Sequence, residues 1–165
     1  MIHNAIRLSL IAVAILFLPT VVLAVVCTCG VDCPPATFPC TCAGTPDPDI
    51  IIGSDGDDYI CSGDGNDIVA AGLGFDTLQG GFGDDILSGG DDDDLIRGGW
   101  GEDLMFGDAG ENDVLLGGQC SDILSGGTGA NDSCDGGQGD DTDAGDCETL
   151  DLGKETPQTG GKCEQ

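Results

Sequence analysis

The sequence predicts an all-β protein whose body is a parallel β-roll, a solenoid of nine-residue repeats, with a short cysteine-rich N-terminal segment. Three observations lead to this fold class. Aspartates recur at intervals of nine residues, a mostly aliphatic residue stands two positions after each of them, and glycines precede them. The composition agrees with this reading, since 30 of the 165 residues are glycine and 31 are acidic.

The charge balance limits both the core and the partners of this chain. Only four residues are Lys or Arg, so the formal net charge is −27, and few large apolar side chains are present. Because self-repulsion at this charge opposes compaction, bound cations are the simplest source of stability. The alternative is a disordered acidic chain. The regular order of the residues argues against this alternative. The lack of a basic patch argues against a nucleic-acid partner and against adhesion to an anionic membrane.

The N-terminal segment has the features of a secretory signal peptide over residues 1–24. Residues 8–18 are apolar at all but one position, Pro19 then breaks the helix, and cleavage is expected after Ala24. The alternative is an uncleaved membrane anchor, because apolar character continues to Val26 and approaches the minimum length of a span. We expect cleavage, and therefore a secreted protein of the extracellular space or cell envelope.

Ten cysteines follow the predicted cleavage point, and five of them lie in the cysteine-rich segment, residues 25–43. An even number in an exported chain predicts disulfides. Because five is odd, at least one bridge leaves this segment if every cysteine is paired. A zinc site is the alternative, but C-x-C spacings are not the usual C-x2-C pairs of such sites. The cluster consists of Cys27, Cys29, Cys33, Cys40 and Cys42.

The repeat itself comprises eleven units with an aspartate in the same place in each, after one-residue insertions in two loops. These aspartates are Asp49, Asp58, Asp67, Asp76, Asp85, Asp94, Asp103, Asp113, Asp122, Asp132 and Asp141. The apolar residues that follow them are Ile51, Ile60, Val69, Leu78, Leu87, Ile96, Met105, Leu115 and Leu124, with Cys134 and Asp143 at this position in the last two units.

Each unit is read as a six-residue turn and a three-residue strand. Glycine allows the tight reversal, because it reaches positive φ without a Cβ clash. The central strand residue faces inward and its two neighbours face outward. Two successive units therefore complete one coil, with one strand in each of two parallel sheets. A helix is excluded by the period and by the destabilising glycine content.

Stacked turns predict a metal site. The turns of successive coils lie about 4.8 Å apart, so their aspartates form like-charged ladders that require a cation between neighbours. Carboxylates and the carbonyl groups of glycine turns are hard oxygen ligands, and calcium accepts irregular cages of six to eight such oxygens more readily than magnesium does. Eleven units give at most nine pairs of aspartates one coil apart.

The pattern G-G-x-G-x-D-x-U-x, in which U is a large aliphatic residue, resembles the RTX (haemolysin-type) calcium-binding repeat. It spans residues 44–144. The resemblance implies a right-handed parallel β-roll that is disordered without calcium and folds with it. It also implies that the eleven aspartates are the metal ligands and that calcium is the cofactor. Residues 44–150 are then the roll, and residues 151–165 are a polar tail.

Some units depart from this pattern. The first unit lacks most of its glycines and is expected to act as a cap, and Asp143 in the last unit is expected to close the roll. A disulfide between Cys134 and Cys147 is expected to seal the C-terminal end. Other residues replace turn glycines, which puts the geometry of those loops in question, namely Ser62, Ala71, Asp92, Asp108 and Cys120.

Three classes of function can be compared with the sequence. The first is a calcium-dependent structural or binding module. The second is recognition of a protein or glycan, or self-association, through an outward aliphatic column on one sheet, although these residues are also simply good strand formers. The column consists of Ile50, Ile68, Ile86, Leu104 and Ile123. An enzyme is disfavoured, because the repeat accounts for its paired carboxylates and the one histidine, His3, lies in the signal peptide. We therefore assign no catalytic residues.

Overall fold

The computed structural model describes residues 24–26 and 42–151, and within these ranges all regular secondary structure is β-strand. The predicted all-β parallel roll is confirmed. The signal peptide up to residue 23, most of the cysteine-rich segment and residues 152–165 lie outside the described residues. Among the residues described, no helix has the length and apolar character needed to cross a bilayer.

Fourteen strands are present in the described part of the chain. They are β1 (Ala24–Val26), β2 (Cys42–Ala43), β3 (Ile50–Ile52), β4 (Tyr59–Asp64), β5 (Ile68–Leu73), β6 (Thr77–Phe82), β7 (Ile86–Asp91), β8 (Leu95–Trp100), β9 (Leu104–Ala109), β10 (Val114–Gln119), β11 (Ile123–Ser125), β12 (Ser133–Gln138), β13 (Thr142–Asp143) and β14 (Thr149–Asp151).

The strands alternate between two parallel sheets. As far as the structure describes the chain, the odd-numbered strands form one seven-stranded sheet, here the first sheet, and the even-numbered strands form the second sheet. Each strand pairs with the strand two places later, so that Ile68 lies opposite Ile86. Where a loop carries an extra residue, the sequence separation between paired residues grows by one, so that Leu95 pairs with Val114. Two repeat units therefore make one coil, as expected from the period.

Most strands are longer than the expected three residues, because they continue through the first glycines of the following turn. In β6 the alternation along the strand buries Leu78 and then Gly80, while Thr77 and Gln79 face outward. The first glycine of each turn therefore faces the interior of the roll, beside the aspartate of its own turn. The position of this glycine therefore determines which atoms can surround the carboxylate of the turn.

The core is a double row of apolar side chains, one row from each sheet. The residues two positions after the aspartates, from Ile51 to Leu124, are at most 2% exposed. Cys42, opposite Ile60, extends the row toward the N-terminus, and Cys134 extends it toward the C-terminus. The roll thus has a thin core with no large aromatic side chain in it.

Both ends of the roll extend beyond the predicted repeat. Backbone pairing places β1, which contains the expected cleavage point after Ala24, beside β3. At the other end, β13 is the last described strand of the first sheet, whereas the second sheet continues into β14. The predicted Cys134–Cys147 disulfide is present, with Cα atoms 6.0 Å apart. Further cysteines are also disulfide-bonded, namely Cys42, Cys61 and Cys120.

Candidate metal centre

The repeat aspartates lie directly before the strands, in two columns that follow the edges of the roll. All but one are at most 4% exposed, and Asp141 is partly buried. Each column contains an aspartate from every coil, because strands one coil apart are in register. The structure therefore brings the eleven predicted residues together in ladders.

One carboxylate oxygen of nine of the eleven ladder aspartates, from Asp67 to Asp141, has a structural role. The Oδ1 atom of Asp67 accepts a hydrogen bond from the backbone N–H of Asp49, one coil earlier, at 2.8 Å. The same bond recurs for every later repeat aspartate as far as Asp141, with distances of 2.7 to 2.9 Å. Half of each carboxylate thus holds neighbouring coils in register, a role that the sequence did not reveal.

The other carboxylate oxygen of these nine aspartates, Oδ2, has no hydrogen-bond partner. This holds, within residues 42–151, for Asp67, Asp76, Asp85, Asp94, Asp103, Asp113, Asp122, Asp132 and Asp141. A buried carboxylate oxygen without a partner is strongly destabilising unless a donor or a cation satisfies it. Nine such atoms in regular order therefore indicate places where a cation fits.

The surroundings of each orphaned oxygen consist of further oxygen atoms. The Oδ2 of Asp85 and the carbonyl oxygen of Gly98 both lie so close to Gly80 that a Cβ on this glycine would clash with them. The same arrangement recurs one coil later, where a Cβ on Gly98 would meet the Oδ2 of Asp103 and the carbonyl oxygen of Gly117. Carboxylate and carbonyl oxygens are the ligands that calcium prefers.

Burial raises the pKa of the ladder carboxyl groups, and the charges of neighbouring aspartates raise it further, while the backbone hydrogen bond acts in the opposite direction. The pKa rises to about 8 for Asp85, Asp94 and Asp122, to about 7 for Asp76, and to about 6 for Asp103 and Asp113. Asp85, Asp94 and Asp122 consequently favour a proton or a metal ion over a free negative charge at neutral pH.

Three of the residues that replace turn glycines keep the glycine conformation. Asp92, Asp108 and Cys120 have φ of 73°, 75° and 89°, in the region that glycine usually occupies. An L-residue in this region costs roughly 1–2 kcal/mol. The turns thus retain their shape at these three positions.

The other two replacements, Ser62 and Ala71, stand at the first position of their turns, where the side chain faces inward. Both are fully buried. The hydroxyl of Ser62 donates to the carbonyl oxygen of Gly80 at 2.9 Å. Side-chain atoms here occupy part of the space that stays open above Gly80 and its equivalents, so these two turns have less room for an ion.

Glu148 belongs to the ladder and was missed by the sequence analysis. Its Oε2 accepts the backbone N–H of Asp132 at 2.7 Å, in the place that an aspartate takes in earlier coils. Thr149 and Leu150 then pair with Ser133 and Cys134. The available signal was Glu148-x-Leu150, which repeats the D-x-U spacing with glutamate but without the preceding pair of glycines.

The outer faces of the roll carry exposed apolar side chains. In the predicted aliphatic column, Ile86 is 40% and Ile123 is 48% exposed, and Ile68 and Leu104 are partly buried. The expectation for Ile50 was wrong, since it is 3% exposed in β3, beside the edge strand β1. On the second sheet, Phe82 stacks on Trp100 across one coil, with ring centroids 6.2 Å apart.

Comparison with known proteins agrees with this geometry. A family model described as RTX calcium-binding nonapeptide repeat (4 copies) matches residues 43–78, 79–112 and 110–132. These segments cover more than half of the chain. No curated protein and no solved structure gave a significant match. The chain therefore belongs to the RTX calcium-binding nonapeptide repeat family, and calcium is the ion that its repeats bind.

Proposed function

We propose that this protein is an exported structural module whose β-roll folds when it binds calcium outside the cytoplasm. The observation that carries the proposal is the regular series of nine buried Oδ2 atoms without partners. Calcium, when bound, supplies the positive charge that this series lacks. We propose the repeat aspartates as its ligands, together with the carbonyl groups of the turn glycines.

The residues of the chain couple metal binding to folding. Each cradle combines an aspartate with a carbonyl group from the next coil, as for Asp85 and Gly98. Residues this far apart in sequence come together only when two coils are stacked. Since the unfolded chain has no preformed cradle, the binding free energy of calcium contributes directly to folding. The Oδ1 bonds then fix the spacing of the coils.

Export is supported by the predicted signal peptide and by the disulfides. The Cys134–Cys147 bridge forms in an oxidising compartment. Extracellular calcium-binding modules have dissociation constants of roughly 10⁻⁴ to 10⁻³ M. With such an affinity the chain would pass through the export machinery unfolded and would fold where calcium is abundant.

We propose no catalytic role for the paired carboxylates. In the pair Asp84–Asp85, Asp85 is buried in the ladder, and the Oδ1 of Asp84 accepts the backbone N–H of Glu102 at 3.0 Å. Both side chains thus stabilise the stacking of the coils. General acid–base catalysis requires a carboxyl group within reach of a substrate, and the ladder position of Asp85 does not offer this.

Recognition through the outer face of the first sheet is the second candidate. The exposed side chains of Ile86 and Ile123 favour it, because contiguous apolar surface often marks a protein interface. If the face joins two copies of the chain, the double variant Ile86→Thr/Ile123→Thr will sediment as a monomer in calcium while the natural chain sediments as a dimer. A monomeric natural chain would leave a different protein or a glycan as the partner.

The central test is a calcium titration at pH 8 of the mature chain from Val25, with its disulfides formed and its metal removed by a chelator. Far-UV circular dichroism should change cooperatively from coil to β-structure at sub-millimolar to millimolar calcium. Magnesium is the control and should have little effect, because it demands a more regular octahedral site. A spectrum indifferent to calcium would refute the proposal.

A further inference from the structure

The first two turns of the roll satisfy their aspartates in a different way from the later turns. The Oδ2 atom of Asp49 accepts hydrogen bonds from the backbone N–H of Thr45 at 2.6 Å and from its hydroxyl at 2.9 Å. The Oδ2 atom of Asp58 accepts the same two bonds from Ser54, at 2.7 and 3.0 Å. These two carboxylates therefore lack the orphaned oxygen found in the other nine.

The backbone of these turns differs as well. In the next three turns the second residue is Gly63, Gly72 or Gly81, with φ of 114°, 127° and 123°. Thr45 and Ser54 occupy the same position without a positive φ. Their N–H groups consequently point at the aspartate of their own turn, and the turn is closed by its own donors.

A non-glycine residue at the second position does not by itself produce this closed turn. Asp108 stands at this position in a later turn, yet it has φ of 75° and leaves the Oδ2 of Asp113 without a partner. The difference therefore lies in the backbone conformation that Thr45 and Ser54 adopt. Their hydroxyls reinforce it, because each also accepts an N–H of its own turn, from Asp47 or from Gly56, at 3.3 Å.

We propose that Thr45 and Ser54 take the place of calcium in the first two turns, so that metal binding is confined to the later turns of the roll. A cation needs oxygen lone pairs directed at it. In these two turns the lone pairs of the Oδ2 atom already accept hydrogen bonds from an N–H and an O–H group. A cation at this point would face the positive ends of both donor groups. The inference rests on the proposed function, because it assumes that calcium occupies the later turns.

Counting calcium ions per chain tests the inference, by equilibrium dialysis of the mature, disulfide-bonded protein at saturating calcium. The double variant Asp49→Asn/Asp58→Asn should bind as many ions as the natural chain. The matched variant Asp85→Asn/Asp94→Asn should bind about two fewer, because it removes two orphaned oxygens. A loss of ions in the first variant would overturn the inference.

A gain-of-binding variant keeps the test decisive if the first variant does not fold. Ser54→Gly turns the second turn into Gly-Gly-Asp-Gly-Asp-Asp, which matches the repeat pattern. It should bind one additional calcium ion per chain, and an unchanged number would overturn the role of Ser54. If instead none of the aspartate variants lowers the number of bound ions, the proposed function itself fails, because calcium would not be held by the ladder.

Discussion

Raising the pH of the metal-free protein should unfold it. Burial raises the pKa of the ladder carboxyl groups, to about 8 for Asp85, Asp94 and Asp122. The folded state therefore binds protons that the unfolded chain, with its ordinary pKa of 3.8, has already lost. Stability from this source is fully present below about pH 4, declines as the unfolded chain ionises above that pH, and is lost completely once the pH has risen through the folded values of about 6 to 8.

The size of the effect follows from the number of protons. At pH 7 the three groups with pKa about 8 are mostly protonated, Asp76 is half protonated, and the groups with pKa about 6 are largely ionised. The folded chain thus holds about three extra protons, each worth about 1.4 kcal/mol per pH unit. Solvent screening at the edges of the roll lowers these pKa values and therefore the number of protons held, so we expect a slope of about 2 kcal/mol per pH unit. Two pH units then remove much of the stability of a small domain.

The assay is far-UV circular dichroism in the presence of a chelator at pH 5 to 8. The β-signal should fall as the pH rises, and calcium should restore it at pH 8. The triple variant Asp85→Asn/Asp94→Asn/Asp122→Asn is the control, because it removes the three groups with the highest pKa and should flatten the dependence. A metal-free β-signal that is constant, or that is stronger at pH 8 than at pH 5, would refute the reasoning.

Three further predictions concern single positions. Gly98→Ala should remove about one bound calcium ion, because the new Cβ would clash with the oxygens of the cradle. Gly56→Ala is the control and should not change the number of bound calcium ions, because no atom lies within 4 Å of the new Cβ. Leu87→Ala should lower the free energy of unfolding in calcium by about 3 kcal/mol, measured by denaturant titration, because Leu87 is fully buried. Replacing Cys134 and Cys147 by serine should destabilise the roll by up to about 3 kcal/mol in the same titration, given their separation of 13 residues.

Much of the fold could be predicted because the repeat is periodic apart from two one-residue insertions. A period of nine residues with one inward aliphatic per unit determines the two sheets, the pairing offset and the core from Ile51 to Leu124. The double use of each aspartate could not be predicted in this way. Whether the N–H of Asp49 points at Asp67 depends on the direction of the backbone in the stacked coils, and spacing along the chain carries no information about that direction.

The Cys134–Cys147 disulfide was predicted, but other features at the two ends of the repeat were not, for a different reason. Glu148 follows Asp141 by seven residues, and no pair of glycines precedes it, so its place in the ladder depends on the pairing of β14 with β12. The first unit, which contains Thr45, was expected to act as a cap because it lacks most of its glycines, whereas Ser54 was not distinguished from a turn glycine. The sequence contained the two hydroxyl residues, but only the structure shows that both donate to the aspartate four residues later.

The two ends solve a problem that the repeat itself creates. A solenoid of identical coils has exposed strand edges at both ends, and such edges invite stacking of one molecule on the next. At the C-terminal end, Asp143 stands at the inward position of β13, and its Oδ1 is buried without a partner. An inward carboxylate makes it unfavourable to continue the core onto another molecule. At the N-terminal end, donors of the chain close the first two turns. Within the described residues, the proposed calcium-dependent part then lies between the closed turns at Thr45 and Ser54 and the inward Asp143, so side chains of the chain itself limit its length.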